Sequence, residues 1–169
     1  MGMYKYLQKL EKSPEYEKLV KERLISWRKE PAILRIERPT KLDRAHSLGY
    51  KAKQGFVMTR VRIGKGSSKR EKTVGGRKPA NTGMYAMTPK MNLQHIAEMR
   101  VARKFPNLQV LNSYYVAEDG SHKWFEVILV DPNHSCIKND QKLNWLCEPA
   151  NKGRVFRGLT AAGKRSKDV

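Results

Sequence analysis

The residues best suited to chemistry in this sequence are the cations that crowd the segment from Arg38 to Lys72. Only Asp43 and Glu71 oppose them within the segment. The cations are spread over turn residues and one strand-like run, so a single solvated helix face could not hold them all. Such a segment repels itself unless a dense anion neutralises it, and the usual dense anion is nucleic acid. The phosphate contacts predicted before residue 66 are Arg38, Lys41, Arg44, Lys51, Lys53, Arg60, Arg62 and Lys65.

The net charge supports the same conclusion. The chain has 169 residues, with 35 Lys and Arg against 16 Asp and Glu, and a formal charge of +19. Solubility needs far less than this excess, which therefore indicates a polyanionic partner. A membrane surface is the other common polyanion, but no window approaches the roughly 18 apolar residues of a spanning helix. No basic amphipathic helix with a wide apolar face is evident, and the N-terminus lacks the apolar core of a signal peptide.

Two further segments are rich in glycine and basic residues. Residues 64–88 contain few apolar side chains, and we expect a long loop that is mobile alone and ordered on RNA. From residue 152 the cations again alternate with glycines, which predicts a flexible basic tail in contact with RNA. The predicted loop contacts are Lys69, Arg70, Lys72, Arg77 and Lys78. The predicted tail contacts are Arg154, Arg157, Lys164, Arg165 and Lys167.

Catalytic motifs are absent from the sequence. It contains no GxSxG, no HExxH and no paired carboxylates in a polar motif, and acidic residues are too few for an evident two-metal site. The candidates for an RNA-processing or RNA-modifying enzyme reduce to Asp131, His134 and Cys136. Cys136 and Cys147 are interpreted as reduced thiols, so we expect no metal, no cofactor and no enzyme activity. A DNA-compacting protein remains a third class, because cations alone do not distinguish RNA from DNA.

The first part of the chain predicts two helices and a strand. Residues 2–12 read as a short helix, and Ser13 with Pro14 begins a second one that Pro31 stops, with Trp27 on its apolar stripe. Residues 31–53 show no clear period and predict an irregular path. Residues 54–63 alternate as a strand, which sends Arg60 and Arg62 to one face. We expect that face to lie against a phosphate backbone.

The second part predicts a helix and a hairpin. Thr88 and Pro89 are expected to open the helix, whose stripe runs from Leu93 to Phe105, with His95 at its surface or boundary. Residues 108–116 and 123–130 form a hairpin, and the second strand is apolar on both faces, so it is predicted to be central. Glu126 interrupts it and should pair with Arg60 or Arg62, or be exposed.

These elements predict an α+β fold with a small, mostly antiparallel sheet. Residues 132–150 are expected to form a mixed loop with satellite core contacts. The predicted organisation is a single domain at 1–150, including the inserted loop, and a basic extension at 151–169.

Several motifs resemble one known family. YKY near the start, RPTKLDRAHSLGYKAKQGFV, QVLNSYYVAEDGSHKWFEVILVDPNH and RGLTAAGKRS resemble, in this order, the archaeal and eukaryotic ribosomal protein fifteen of the large subunit, which is distinct from the bacterial fifteen. The likeness spans nearly the whole chain. It places Lys51 and Lys53 in the family's basic stretch and Arg157 at the root of its tail. Family members usually continue beyond RGLTxAGxxS into a further basic tail, and the loop around residues 69–81 diverges.

The resemblance implies a structural constituent of the large ribosomal subunit that binds and stabilises rRNA without enzyme activity. The implied fold is a small α+β domain with extended basic segments embedded in rRNA. The implied partners are large-subunit rRNA and neighbouring large-subunit proteins in the cytoplasm, rather than a membrane or a second copy of the chain. If Lys51, Lys53, Arg60 and Arg62 are contacts, replacing them with alanine should flatten the salt dependence of binding.

Overall fold

The computed structural model describes residues 2–66, 71–83 and 90–167. Within that part of the chain, six α-helices accompany one four-stranded sheet. The helices are α1 (Met3–Glu11), α2 (Pro14–Lys29), α3 (Leu42–Ser47), α4 (Leu93–Lys104), α5 (Ser135–Lys138) and α6 (Ala161–Lys167). The strands are β1 (Ile33–Ile36), β2 (Phe56–Gly64), β3 (Gln109–Glu118) and β4 (His122–Val130). Short 3-10 turns occupy Pro79–Thr82, Asn144–Cys147 and Pro149–Asn151.

The sheet is open, with strand order β1-β2-β4-β3 and antiparallel pairing throughout. The α+β class and the hairpin are therefore confirmed. The hairpin turn is fixed by Asp119, whose carboxylate accepts hydrogen bonds from the backbone of Ser121 at 2.7 Å and His122 at 2.6 Å. Every residue of β4 from Trp124 to Val130 is buried, and β4 lies between β2 and β3. The central position predicted from its two apolar faces is confirmed.

Helices cover both faces of the sheet. On one face, Trp27 of α2 packs with Met58 and Trp124. On the other face, α4 packs against the alternate residues of the same strands, including Val61 and Phe125. The core role predicted for Trp27 is confirmed, since its side chain is 6% exposed.

Two short elements were missed between residues 31 and 53. The irregular path predicted there contains β1, which pairs with β2, and the six-residue helix α3. Both are too short to show a hydrophobic period, so tertiary pairing rather than local pattern determines them. The same holds for the predicted loop at 132–150, which contains α5 and two 3-10 turns. Its expected satellite core is present, with Ile137 and Leu146 buried.

Helix α4 begins later than the sequence suggested. Thr88 and Pro89 lie outside the described residues, and the helix starts at Leu93, where the Asn92 side chain accepts a hydrogen bond from the backbone of His95 at 2.7 Å. His95 is buried rather than at the surface, and its Nε2 donates to the Val155 carbonyl at 2.9 Å. The surface or boundary position predicted for His95 is wrong, because the Val155 carbonyl provides a hydrogen-bond partner for its ring inside the core.

The predicted flexible tail is packed on the domain in the described residues up to 167. Thr160 and Ala162 are fully buried, and α6 lies against α4. Gly158 has φ of +68°, and a Cβ on Gly163 would meet the Gly158 Cα at 2.6 Å. Only a glycine permits this approach. The spacing of glycines therefore reflects close packing and not an unstructured chain.

Candidate nucleic-acid interface

Arg60 lies beneath α2 instead of on an open sheet face. Its guanidinium carbon is 4.2 Å from the Trp27 ring centroid, and its Nη2 lies 2.5 Å from the Glu30 carboxylate. The Arg60 side chain is 11% exposed. Arg62, on the same face, donates to the Arg28 carbonyl. Helix α2 therefore lies above this face, and the contact of Arg60 and Arg62 with phosphate stays a prediction.

Glu126 is neither exposed nor paired with an arginine, so both predictions for it are wrong. It is fully buried and accepts hydrogen bonds from the Thr40 backbone at 3.0 Å, from the Thr40 hydroxyl at 2.5 Å and from the Tyr114 hydroxyl. Burial, together with the nearby Glu126 charge, raises the pKa of Tyr114, so this hydroxyl stays a donor. Glu126 therefore ties the segment before α3 to the central strand.

Several predicted lysine contacts form ion pairs within the chain. Lys51 and Lys53 both approach the Asp140 carboxylate, at 3.3 Å and 2.6 Å. The hydrogen bond from Lys53 is the main cause that lowers the pKa of Asp140. The remaining pairs join Lys41 to Glu11 and Lys65 to Glu118. These lysines are partly exposed, so each ammonium group can face solvent while it remains paired.

The arginines after residue 151 hold backbone carbonyls. Arg154 donates to the carbonyls of Val110 and Leu111, both at 3.0 Å, and lies 4.9 Å from the Trp145 ring centroid. Burial lowers the pKa of Arg154. Arg157 donates to carbonyls of the preceding turn, and Arg165 donates to the Gln94 side chain at 3.1 Å. These three arginines fasten the last segment to the domain.

The other predicted contacts that the structure describes are exposed. Lys69 and Arg70 lie outside the described residues. The predicted cations that are exposed and make no hydrogen bond or ion pair to another described residue are Arg38, Arg44, Lys72, Arg77, Lys78, Lys164 and Lys167. These side chains can reach an external anion without first breaking an internal bond.

Sequence reasoning missed a set of cations on α4. Arg100, Arg103 and Lys104 are exposed and spaced by three or four residues, so they share the outer side of the helix. Cations in the last turns of a helix favour the helix dipole, but this spacing also indicates a basic face. We call Lys90 and the exposed cations of α4 and α6 the α4–α6 surface. It comprises Lys90, Arg100, Arg103, Lys104, Lys164, Arg165 and Lys167.

The α4–α6 surface carries no acidic side chain from either helix. The single carboxylate of α4 is Glu98, which is fully buried, and α6 has none. Glu98 accepts hydrogen bonds from the hydroxyls of Ser113 and Thr160, both at 2.5 Å. Burial raises the pKa of Glu98, while the two hydroxyls act in the opposite direction. This carboxylate therefore serves to join α4, β3 and the segment before α6, and neither helix exposes a carboxylate of its own.

The candidate catalytic residues are engaged in local structure. The Nδ1 of His134 accepts a hydrogen bond from the Cys136 backbone at 3.2 Å, and Asp131 accepts one from the Asn133 backbone at 2.9 Å. Both cysteines are unpaired thiols. Across residues 2–66, 71–83 and 90–167, no three His, Cys, Asp or Glu side chains converge on a metal position. Over the same ranges, no helix has the length and apolar character to span a bilayer.

The fold and the surface together define a small α+β protein with an open antiparallel sheet and many exposed cations. A protein-family model described as Ribosomal L15 matches residues 2–169, and the chain belongs to the archaeal and eukaryotic type of this family. Members are components of the large ribosomal subunit in the cytoplasm and associate with rRNA and other ribosomal proteins. Such ribosomal proteins are generally not enzymes.

Proposed function

We propose that this chain is a non-enzymatic constituent of the large ribosomal subunit that binds and stabilises large-subunit rRNA mainly through its α4–α6 surface. The proposal rests on one observation, namely which cations are paired with acidic side chains and which are not. Acidic side chains hold many cations within the chain, whereas α4 and α6 expose cations and, within residues 90–167, no acidic side chain of their own. A surface of one sign attracts the opposite charge at a distance and neutralises it on contact.

The remaining exposed cations extend the proposed interface. Arg38 and Arg44 flank the start of α3, and Lys72, Arg77 and Lys78 lie in the described part of the basic loop. We propose that these side chains also contact phosphates. Order in the basic loop upon RNA binding stays a prediction. Recognition of this kind reads backbone position and the shape of folded RNA more than base identity.

The paired cations have a different proposed role. Lys41, Lys51, Lys53 and Lys65 remain half-exposed and add to the local potential, but phosphate contact would require each to share its carboxylate. Arg60 acts within the core. The internal ion pairs therefore stabilise the domain, and the unpaired cations bind the RNA.

The test measures binding of the full chain to large-subunit rRNA over a range of salt concentrations. With six or more phosphate contacts, the slope of log K against log salt should be about −4 or steeper. The chain should also sediment with the large subunit in a cell extract. A slope near −1, or sedimentation with nucleoid DNA instead of the subunit, would contradict the proposal.

A further inference from the structure

A groove of about 300 Å³ lies beside the outer side of α4. Its walls come from the end of α4, the start of β3 and the turn at residues 152–156, and most of its lining is apolar, including Pro106, Leu108 and Val155. The volume falls at the lower end of the range for small-molecule sites. The groove can therefore admit one flat group of modest size.

An exposed aromatic ring borders this groove. Phe156 is 49% exposed, although its neighbour Val155 is 2% exposed and anchored in the core. The backbone around it is fixed, because Phe156 donates to the Gly153 carbonyl at 3.0 Å and Leu159 donates to the Arg154 carbonyl at 3.0 Å. The ring is thus presented outward by a turn that has little freedom to withdraw it.

Both charged side chains that line the groove are positive. The guanidinium carbon of Arg103 lies 5.8 Å from the Phe156 ring centroid, and the exposed Lys152 lines the same groove. No Asp or Glu is among the residues that line it. An apolar protein segment would gain nothing from these cations, whereas a nucleotide combines a flat base with a phosphate of opposite charge.

We propose that this groove binds a single unpaired nucleotide of RNA, with its base stacked on Phe156 and its phosphate beside Arg103 and Lys152. The inference rests on the proposed rRNA-binding function and adds a specific site to it. The base is held by apolar contact and π stacking, so both purines and pyrimidines are accepted. The site therefore selects RNA that extrudes a nucleotide over RNA that is fully paired.

The experiment compares two RNA hairpins that differ by one bulged nucleotide, using the purified full chain. We expect the chain to bind the bulged hairpin roughly 5- to 150-fold more tightly, the range that base stacking on an aromatic ring supports. With 2-aminopurine at the bulge, binding should quench its fluorescence. Phe156→Ala should abolish both the preference and the quenching, and Phe156→Tyr should keep them.

Tyr6→Ala is the matched control, since Tyr6 is another exposed aromatic residue and lies on α1, which contacts α2 and α3, the helices on the face of the sheet opposite α4. It should retain the preference for the bulge. Equal binding of both hairpins by the unmodified chain would overturn the site while leaving the proposed function intact. A preference that survives Phe156→Ala would also overturn it. Failure to bind either RNA would contradict the proposed function and this site together.

Discussion

The two helical sides of the sheet use their cations differently. On the α2 side, Arg60 is stacked on Trp27 and paired with Glu30, and the outer surface of α2 mixes acids with bases. On the α4 side, the single carboxylate is buried at Glu98 and the outer cations face no acid of their own helix. The same residue types therefore stabilise the fold on one side and remain available to a partner on the other.

This difference shows that the number of cations does not locate an interface. A guanidinium that is desolvated against an aromatic ring contributes to stability and cannot also neutralise a phosphate. An exposed cation with no partner makes little contribution to stability, because surface pairs are worth about 0–1 kcal/mol. Replacing Arg60 on the α2 side should therefore lower the stability of the fold. Replacing an exposed cation on the α4 side should instead weaken binding.

The largest expected effect comes from three cations of the α4–α6 surface. Replacing Arg100, Lys164 and Lys167 with alanine should flatten the salt slope of rRNA binding by about 2–3 and weaken binding on the order of a hundredfold at 0.1 M salt. The α2 variant with Arg23, Lys18 and Lys21 replaced by alanine removes the same charge and is the control. Equal losses in both variants would show that net charge alone drives binding.

Arg60→Ala should act on stability and not on binding. Loss of the Trp27 stacking and the Glu30 pair is expected to lower the free energy of unfolding by about 1–3 kcal/mol. Urea unfolding measures this value, and Arg23→Ala on the exposed side of α2 should change it by less than about 0.5 kcal/mol. A flattened salt slope in folded Arg60→Ala would restore the original expectation that Arg60 contacts phosphate.

The Lys51→Ala, Lys53→Ala double variant should have a smaller effect on the salt slope. Asp140 offsets one of the two ammonium charges, so the slope should change by no more than about 0.7–0.9 in total. The measurement is the same salt titration, with Arg100→Ala, Lys164→Ala as the matched double variant. A change of about 0.7–0.9 for each lysine would show that RNA displaces Asp140.

The Glu98→Gln substitution should produce the smallest effect, which appears in the pH dependence of the free energy of unfolding. Burial raises its pKa in the folded state, so its contribution is complete below the unfolded pKa of about 4.3 and is lost as pH rises through the folded pKa. The unfolding free energy of Glu98→Gln minus that of the unmodified chain should therefore rise between about pH 4 and pH 7. Exposed Glu148→Gln should show no such rise, and a flat difference for Glu98→Gln would contradict the assignment.

The sequence predicted the elements whose side-chain patterns are long enough to read. The β3–β4 hairpin, the central position of β4 and the capped start of α2 follow from alternation and capping residues. The four residues of β1 carry no period, and only pairing with β2 defines that strand. His95 and Glu98 were unpredictable as core residues because a polar side chain is buried only when a specific partner exists elsewhere in the fold.

The candidate site was harder to predict than the fold. Periodicity placed Arg60 and Arg62 on one face correctly, but nothing local showed that α2 would cover that face. The outward spacing of Arg100, Arg103 and Lys104 was visible in the sequence. It carried little weight there because charged residues on a helix are usually a solvated surface, and only the absence of facing acids distinguishes them.

Lysine acetylation followed by mass spectrometry tests the central claim most directly. Lys90, Lys164 and Lys167 should react readily in the free chain, become protected in intact large subunits, and regain reactivity after ribonuclease digestion of the rRNA. Recovery upon ribonuclease treatment separates protection by rRNA from protection by neighbouring proteins. Equal reactivity of these three lysines in the free chain and in the intact subunit would contradict the assignment of the α4–α6 surface to rRNA.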